Sequence, residues 1–326
     1  MIEGTAPDVR GDRIEDETRA IVAAAAARIG VPAQDARLLR LHSNATYALP
    51  TAGLVVRIAT NPDARHRVAA AIAVTRWLAS RGFPCVVPAD IVDQPLVEAG
   101  RVVSVWRYEA TTPESPPAAA ELGKLLRDLH SQPDPPYLLD RLADPFASVA
   151  AAMAQAPDAL PEASRSWLSD RIESLRHWWS ATEFPRPPGL IHGDAHTSNV
   201  MRALSGGIIL GDWDHVAAGP REWDLVQIHY MRRRFGRVTG EDIDAFTAAY
   251  GWDVRDWHGL GNLIATREIT GLSPYIRTAA ATPFSREQLA YRLKTLRSGD
   301  VTARWESPPG NRAQGPADPG DSAGQY

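Results

Sequence analysis

The chain has 326 residues, 35 basic against 39 acidic side chains, a net charge of −4 and a single cysteine, Cys85. One cysteine excludes a disulfide framework and a cysteine-built zinc site, and a slightly acidic balance gives no global electrostatic grip on nucleic acid. No apolar run approaches the ~20 residues of a membrane span, and the acid-rich N-terminus lacks the basic-then-apolar pattern of a signal peptide, so the expectation is a cytoplasmic protein without membrane or nucleic-acid partners.

In chain order, residues 1–13 are too polar to bury and are expected to be disordered. An alanine-rich helix over 14–29 stops at Gly30 and Pro32. Strands are expected over 37–48 and 54–59, joined by the turn-rich 50–53. A helix over 63–80 ends before Gly82, and two more strands, 86–92 and 102–108, flank the turn at 98–100. This succession predicts a small lobe of α+β class built on an antiparallel sheet. The Thr/Pro-rich stretch 110–117 is a linker. Beyond it Leu122, Leu125, Leu126 and Leu129 mark an amphipathic helix by their spacing, and Leu168, Ile172, Leu175 and Trp179 mark a second. Short strand runs at 189–192 and 208–212 enclose a polar loop. From Arg221 to about 297 the chain reads as helical, with a capping-box spacing at Ser285 and Gln288. The tail 306–326 is again Pro-, Gly- and Asp-rich and expected to be disordered. The division is therefore 14–108 and 109–305.

The chemistry concentrates in 190–225. His192-Gly193-Asp194-Ala195-His196-Thr197-Ser198-Asn199 is followed, thirteen residues past the asparagine, by Asp212-Trp213-Asp214. An Asp with an Asn five residues on, then an apolar run ending in a second Asp, is what phosphoryl transfer requires: one carboxylate to accept the hydroxyl proton, two oxygen donors for magnesium. The His192-x-Asp194-x-His196 spacing with Asp212 and Asp214 also permits a His/Asp metal hydrolase, but that reading leaves Asn199 and the upstream sheet unexplained. His130 fits a helix C-terminus, where it favours the dipole. The tryptophans at 178, 179, 252 and 257 read as core.

The His192-x-Asp194-x-x-x-x-Asn199 pattern resembles the catalytic loop of protein kinases. With Gly193, His196, Asp212-Trp213-Asp214, Gly219-Pro220 and Asp224-Leu225, the chain looks like the aminoglycoside phosphotransferase and choline-kinase-like small-molecule kinases over roughly residues 35–300. The resemblance implies a two-lobed, protein-kinase-like fold with a small antiparallel-sheet N-lobe for the nucleotide and a larger helical C-lobe. It makes Asp194 the catalytic base, His192 an organiser of the loop, Asn199 and Asp212 the magnesium ligands, and Asp224 a helix-start support. It places Ser43 and Asn44 in the turn over the phosphates, and residues 105–108, with Trp106 and Tyr108, in a hinge whose backbone reads adenine. The implied cofactors are Mg and ATP or another NTP. The implied acceptor is a small-molecule hydroxyl, an aminoglycoside or a related antibiotic or metabolite, and the implied assembly is a monomer or homodimer.

The sequence also departs from that pattern. Lys124 and Lys294 are the only lysines, so the phosphate-gripping lysine position is held by Arg57 in Val55-Val56-Arg57-Ile58. An arginine fork can still grip phosphate. The helix expected to supply the glutamate partner reads Ala69-Ala70-Ala71 and carries no acid after Asp63. Arg57 is therefore held by a carboxylate from elsewhere or by the nucleotide alone, and a non-catalytic nucleotide-binding module is the alternative function.

Overall fold

A computed structural model describes residues 9–41, 44–59, 61–90, 93–112 and 118–307. The chain forms two compact units: Met1–Thr112 with Met201–Val216, and Pro113–Val200 with Ala217–Tyr326. The first unit thus takes in a later segment, Met201–Val216, that the sequence assigns to 109–305.

In the first unit, α1 (Val9–Arg28) begins five residues before the expected helix and therefore inside the stretch 1–13 read as disordered. Five strands follow: β1 (Arg37–Leu41), β2 (Asn44–Leu49), β3 (Leu54–Ala59), β4 (Leu96–Glu98) and β5 (Arg101–Arg107). They form one antiparallel sheet in the order β1-β2-β3-β5-β4. The single strand expected over 37–48 is in fact two, β1 and β2, paired with each other. Over 86–90, the described part of the strand expected at 86–92, no strand forms. Pro88 within it, like Pro84 just before it, cannot donate to a ladder, and only isolated bridges occur around it, at Cys85 and Pro88. The chain instead pairs β4 with β5 after a cis Gln94–Pro95 bond. The Gln94 side chain takes over the ladder's work: Oε1 accepts from the Val105 N–H (2.7 Å), and Nε2 donates to the carbonyls of Ala89 (2.9 Å) and Val105 (3.0 Å).

The sheet's apolar face carries Tyr47, Leu49, Val56, Ile58, Val103 and Val105 and is covered by Ile21, Val22, Ala25 and Ala26 of α1. α2 (Arg65–Ser80) presents Ala71, Ile72, Val74 and Leu78 inward. The inserted segment forms β7 (Val200–Arg202) and β8 (Ile208–Leu210), paired as a two-stranded sheet. It is sewn in by Val86 N–H to Leu210 O and Leu210 N–H to Pro84 O, and by Trp213, fully buried and edge-on to Phe83 at 6.1 Å.

In the second unit, α3 (Ala119–His130) carries the expected leucine stripe and packs against α7 (Gly240–Tyr250). Gly123 is required at that crossing, because a methyl there would run into the carbonyl of Phe246. α4 (Ala147–Gln155) and α5 (Glu162–Ala181) join α8 (Leu260–Thr270), α9 (Ser273–Thr278) and α10 (Pro283–Arg297) around an apolar core of Phe146, Leu168, Leu175, Leu272 and Leu289. α10 starts at Pro283, with Thr282 capping the Ser285 N–H. Ser285 and Gln288 are therefore buried inside the helix rather than its cap. At the C-terminal end, Glu306 belongs to the fold: its carbonyl accepts from Arg292 (2.6 Å) and its N–H donates to Gln288 (3.1 Å). The tail boundary drawn at 306 therefore falls too early, and residues 308–326 lie outside the described ones. A two-stranded sheet of β6 (Gly189–Ile191) and β9 (Ala217–Gly219) leads to α6 (Glu222–Phe235). Among the described residues no helix is long and apolar enough to cross a membrane.

Candidate active site: a braced loop and an acid-caged arginine

In the second unit the informative feature is the loop after β6. Gly193 takes φ +87°, a left-handed conformation natural only to glycine. Asp224, in the first turn of α6, is almost completely buried and accepts the N–H groups of His192 (2.7 Å) and Gly193 (2.8 Å). His130 Nε2 lies 3.1 Å from the same carboxylate, and its Nδ1 lies 2.9 Å from Tyr250 Oη. Burial alone would raise the pKa of Asp224, but the His130 hydrogen bond and charge, with the His192 amide, reverse this and hold it below the ordinary carboxylate value. The support expected of Asp224 is thus a clamp on two backbone amides, and His130 is its buried partner.

The loop is also held from α8. Arg267 is buried, donates to the carbonyls of Gly193 (2.9 Å) and Trp223 (3.0 Å) and stacks on Trp223, its guanidinium carbon 3.8 Å from the ring centroid. Trp223 Nε1 donates to the Gly193 carbonyl as well (3.1 Å). His192 is fully buried, and its Nδ1 accepts from the Asp194 N–H (3.3 Å), which places the ring proton on Nε2. His192 thus lies inside the loop, in hydrogen-bond contact with the Asp194 backbone.

Asp194 stands on this frame with its side chain one-third exposed. Gln227 Nε2 donates to its Oδ1 (3.0 Å), and Arg267 NH1 lies 3.9 Å from the same oxygen. His196 Nε2 lies 3.6 Å from Oδ2. Asn199 is buried and donates its amide to the Asp194 carbonyl (2.9 Å), so Oδ1 is the atom with which it could ligate a cation. Gln227, in the middle of α6, is the residue a motif search passes over; Arg267 belongs to the Arg267-Glu268-Ile269 segment of the family resemblance, but its place in the last turn of α8 gives no spacing relation to Asp194.

In the first unit, Arg57 lies on β3 opposite Thr46 and Ser104. Its NH2 donates to Asp212 Oδ1 and to Asp214 Oδ2, both at 3.0 Å. Asn44, the first residue of β2, donates to Asp214 Oδ2 (2.6 Å), and Arg40 NH1 lies 3.8 Å from Asp212 Oδ2. Burial opposes the charge on Arg57, but Asp214 and Asp212 outweigh it and push its pKa above the ordinary arginine value. Asp212 itself adopts φ +58°, a left-handed conformation that aspartate tolerates better than most side chains. Arg57 is thus held by carboxylates from elsewhere in the chain, one of the two arrangements the sequence left open.

Two expected nucleotide contacts, Trp106 and Tyr108, look different in place. Ser43 lies outside the described residues. Trp106 is buried, with its indole N–H on Ser104 Oγ (2.9 Å). The N–H groups of Arg107 and Tyr108 donate to Val87 O (2.8 Å) and Gly53 O (2.9 Å), and that of Val105 to Gln94. These amides are internal ties of the unit. Tyr108 offers its carbonyl and a partly exposed ring.

Magnesium prefers oxygen donors with water completing its shell. Asn199 Oδ1 and the Asp212 carboxylate are donors of that kind, and the guanidinium beside Asp212 shows that this carboxylate already accommodates a cation. Among the described residues no group of three or more His, Cys, Asp or Glu side chains is placed to hold a metal ion. The tryptophans at 178, 179 and 257 pack with Phe184 as an aromatic core, as expected.

A five-stranded antiparallel sheet unit and a mainly helical unit, with an Asp-x4-Asn loop in the second, define the protein-kinase-like fold of small-molecule kinases. Residues 35–262 match the phosphotransferase enzyme family, and the chain belongs to it. Among solved structures it is similar to the amicoumacin kinase hAmiN in complex with AMP-PNP, Ca2+ and Ami (13% identity, 90% of this chain and 98% of that one, TM-score 0.66). It is similar to a choline/ethanolamine kinase family protein from Mesorhizobium loti (19% identity, 87% and 94%, TM-score 0.60). A third is the GDP and kanamycin complex of APH(2")-IIia (15% identity, 86% and 97%, TM-score 0.56).

Proposed function

We propose that the protein is an ATP- and magnesium-dependent phosphotransferase that moves a γ-phosphoryl group to the hydroxyl of a small molecule. The observation that carries this reading is Asp194, a one-third-exposed carboxylate on a loop braced by Asp224, Trp223 and Arg267. Asp194 orients the acceptor hydroxyl and takes its proton. Gln227 and Arg267, both at Oδ1, fix the rotation of the carboxylate. Asn199 and Asp212 would each offer an oxygen to the metal, which would neutralise charge on the phosphates. Arg57 grips the α- and β-phosphates, with Asn44 beside it, and the Tyr108 carbonyl contributes to adenine recognition. The bound AMP-PNP and GDP of two similar structures support a nucleotide substrate and leave ATP and GTP both to be assayed.

The acceptor is better sought among weakly charged molecules than among polycations. Several acids of the helical unit are engaged internally: Asp242 accepts from the Thr239 N–H (2.8 Å), Asp244 and Asp253 share Arg255 (both 2.7 Å), and Glu268 pairs with Arg234 (2.6 Å). The reading is tested by incubating the protein with Mg·ATP or Mg·GTP and a panel of hydroxylated metabolites and antibiotics, following phosphate transfer. Turnover with one acceptor, lost by a factor of roughly 10²–10⁴ in Asp194→Asn, is expected. Nucleotide binding without turnover on any acceptor would instead favour a non-catalytic module.

A further inference from the structure

We propose that Asp214 is the positioning carboxylate of Arg57, so that the phosphate-gripping cation is locked to the segment carrying the metal ligand Asp212 and not to helix α2. The proposal rests on the phosphotransferase reading above and on four observations within the first unit. First, α2 from Arg65 to Ser80 contains no acidic residue, so that helix has no carboxylate to offer. Second, Arg57 NH2 is shared at 3.0 Å by Asp212 Oδ1 and Asp214 Oδ2. Third, Asp214 Oδ2 receives a second donor, Asn44 Nδ2 at 2.6 Å, from the strand beside β3. Fourth, the Arg57 side chain is largely buried, so losing its partners would leave a desolvated charge uncompensated.

The two aspartates then separate in role. Asp212 is wanted by two cations, Arg57 and the metal. Asp214 is tied to β2 and β3 through Asn44 and Arg57 and holds the guanidinium whether or not Asp212 is engaged. Both contacts fall on one nitrogen of a group with five N–H donors, so anchoring leaves most of the fork's donors for phosphate oxygens. Metal binding and phosphate gripping are thereby linked through three residues of one turn, and the position of α2 does not enter.

A double-mutant cycle on equilibrium ATP binding, by calorimetry in EDTA so that no metal or turnover is involved, tests this. Asp214→Asn removes a negative charge as well as a positioning contact, and the charge effect alone would strengthen ATP binding. The expected result is about a tenfold weakening with Arg57 present, and no weakening or a slight strengthening in the Arg57→Ala background. Asp214→Glu should recover part of the affinity, and Asn44→Ala should weaken it about threefold. Equal changes from Asp214→Asn in both backgrounds would overturn the proposal. If the wild-type protein binds no nucleotide either in EDTA or with magnesium, the phosphotransferase reading fails. Where binding is absent only in EDTA or in both, the same cycle on thermal unfolding of the unliganded protein decides the lock separately. Non-additive melting shifts for Arg57 and Asp214 support it, and additive shifts overturn it.

Discussion

The two functional clusters are held together by different physics. In the helical unit the loop around Asp194 is fixed through its backbone: two amides on Asp224, and the Gly193 carbonyl shared by Arg267 and Trp223, with the supporting groups almost entirely buried. In the sheet unit the charged cluster is fixed through side chains alone, by ion pairs on carboxylates 27–30% exposed. Backbone ties in a dry setting give a geometry that does not relax, which suits a group that must meet one hydroxyl in one orientation. Side-chain ion pairs near solvent exchange partners more readily, which under the proposed function suits Asp212, shared between Arg57 and a metal, while Asp214 keeps hold of the guanidinium.

The sharpest way to break this contrast is Asp224→Ala. It strands the amides of His192 and Gly193 and the ring of His130, and should cost about 3–5 kcal/mol in urea unfolding, with activity lost alongside stability. The low pKa of Asp224 adds a pH signature. Because its folded value lies below the unfolded one, its contribution is present above about pH 4 and is lost as pH falls through the folded value. The wild type should therefore show an acid-unfolding limb that the variant lacks.

His229 of α6 comes next. Burial first, then the positive field of Arg255, lowers its pKa to about 4, against Asp253, which acts to raise it. The unfolded chain binds a proton there below about pH 6.5 and the folded one does not until about pH 4, so stability rises with pH across that window, by up to about 3 kcal/mol. His229→Phe should flatten melting temperature against pH between 4 and 6.5 while leaving the value at pH 8 nearly unchanged. Arg267→Met keeps some of the apolar contact with Trp223 but loses two carbonyl bonds. An expected cost of about 2 kcal/mol, with kcat falling more than the nucleotide KM, would separate a bracing role from substrate binding. At the small end, Asn44→Ala in the sheet unit should cost about 1 kcal/mol or less in unfolding while weakening nucleotide binding. The reverse pattern would mean that the sheet cluster is as structural as the loop.

Much of this was legible in the sequence. The leucine stripe of α3, the strands 54–59 and 102–108, and the Asp194/Asn199/Asp212 spacing are local patterns, and local patterns survive folding. Two kinds of error came from long-range competition. The 86–92 run has strand-like residues, but Pro88 interrupts its ladder, and the Gln94 side chain supplies bonds to Val105 across eleven residues. The 1–13 boundary failed because Val9–Arg13 continue a helix whose later turns are anchored on the sheet, and composition carries no trace of that anchoring.

By itself the sequence determined the inventory. There is no lysine before Lys124, no acid on the helix after Asp63, and one motif with the residue types that phosphoryl transfer requires. Those statements hold whatever the fold does. Only the tertiary structure decided the pairings: that Arg57 finds its counter-charges 155 and 157 residues along the chain, in Asp212 and Asp214, and that Gln227 and Arg267 converge on Asp194. The reason is physical. A buried charge must be compensated, but any carboxylate the chain can bring within 3 Å will serve, and which one arrives is set by how strands and inserted segments pack.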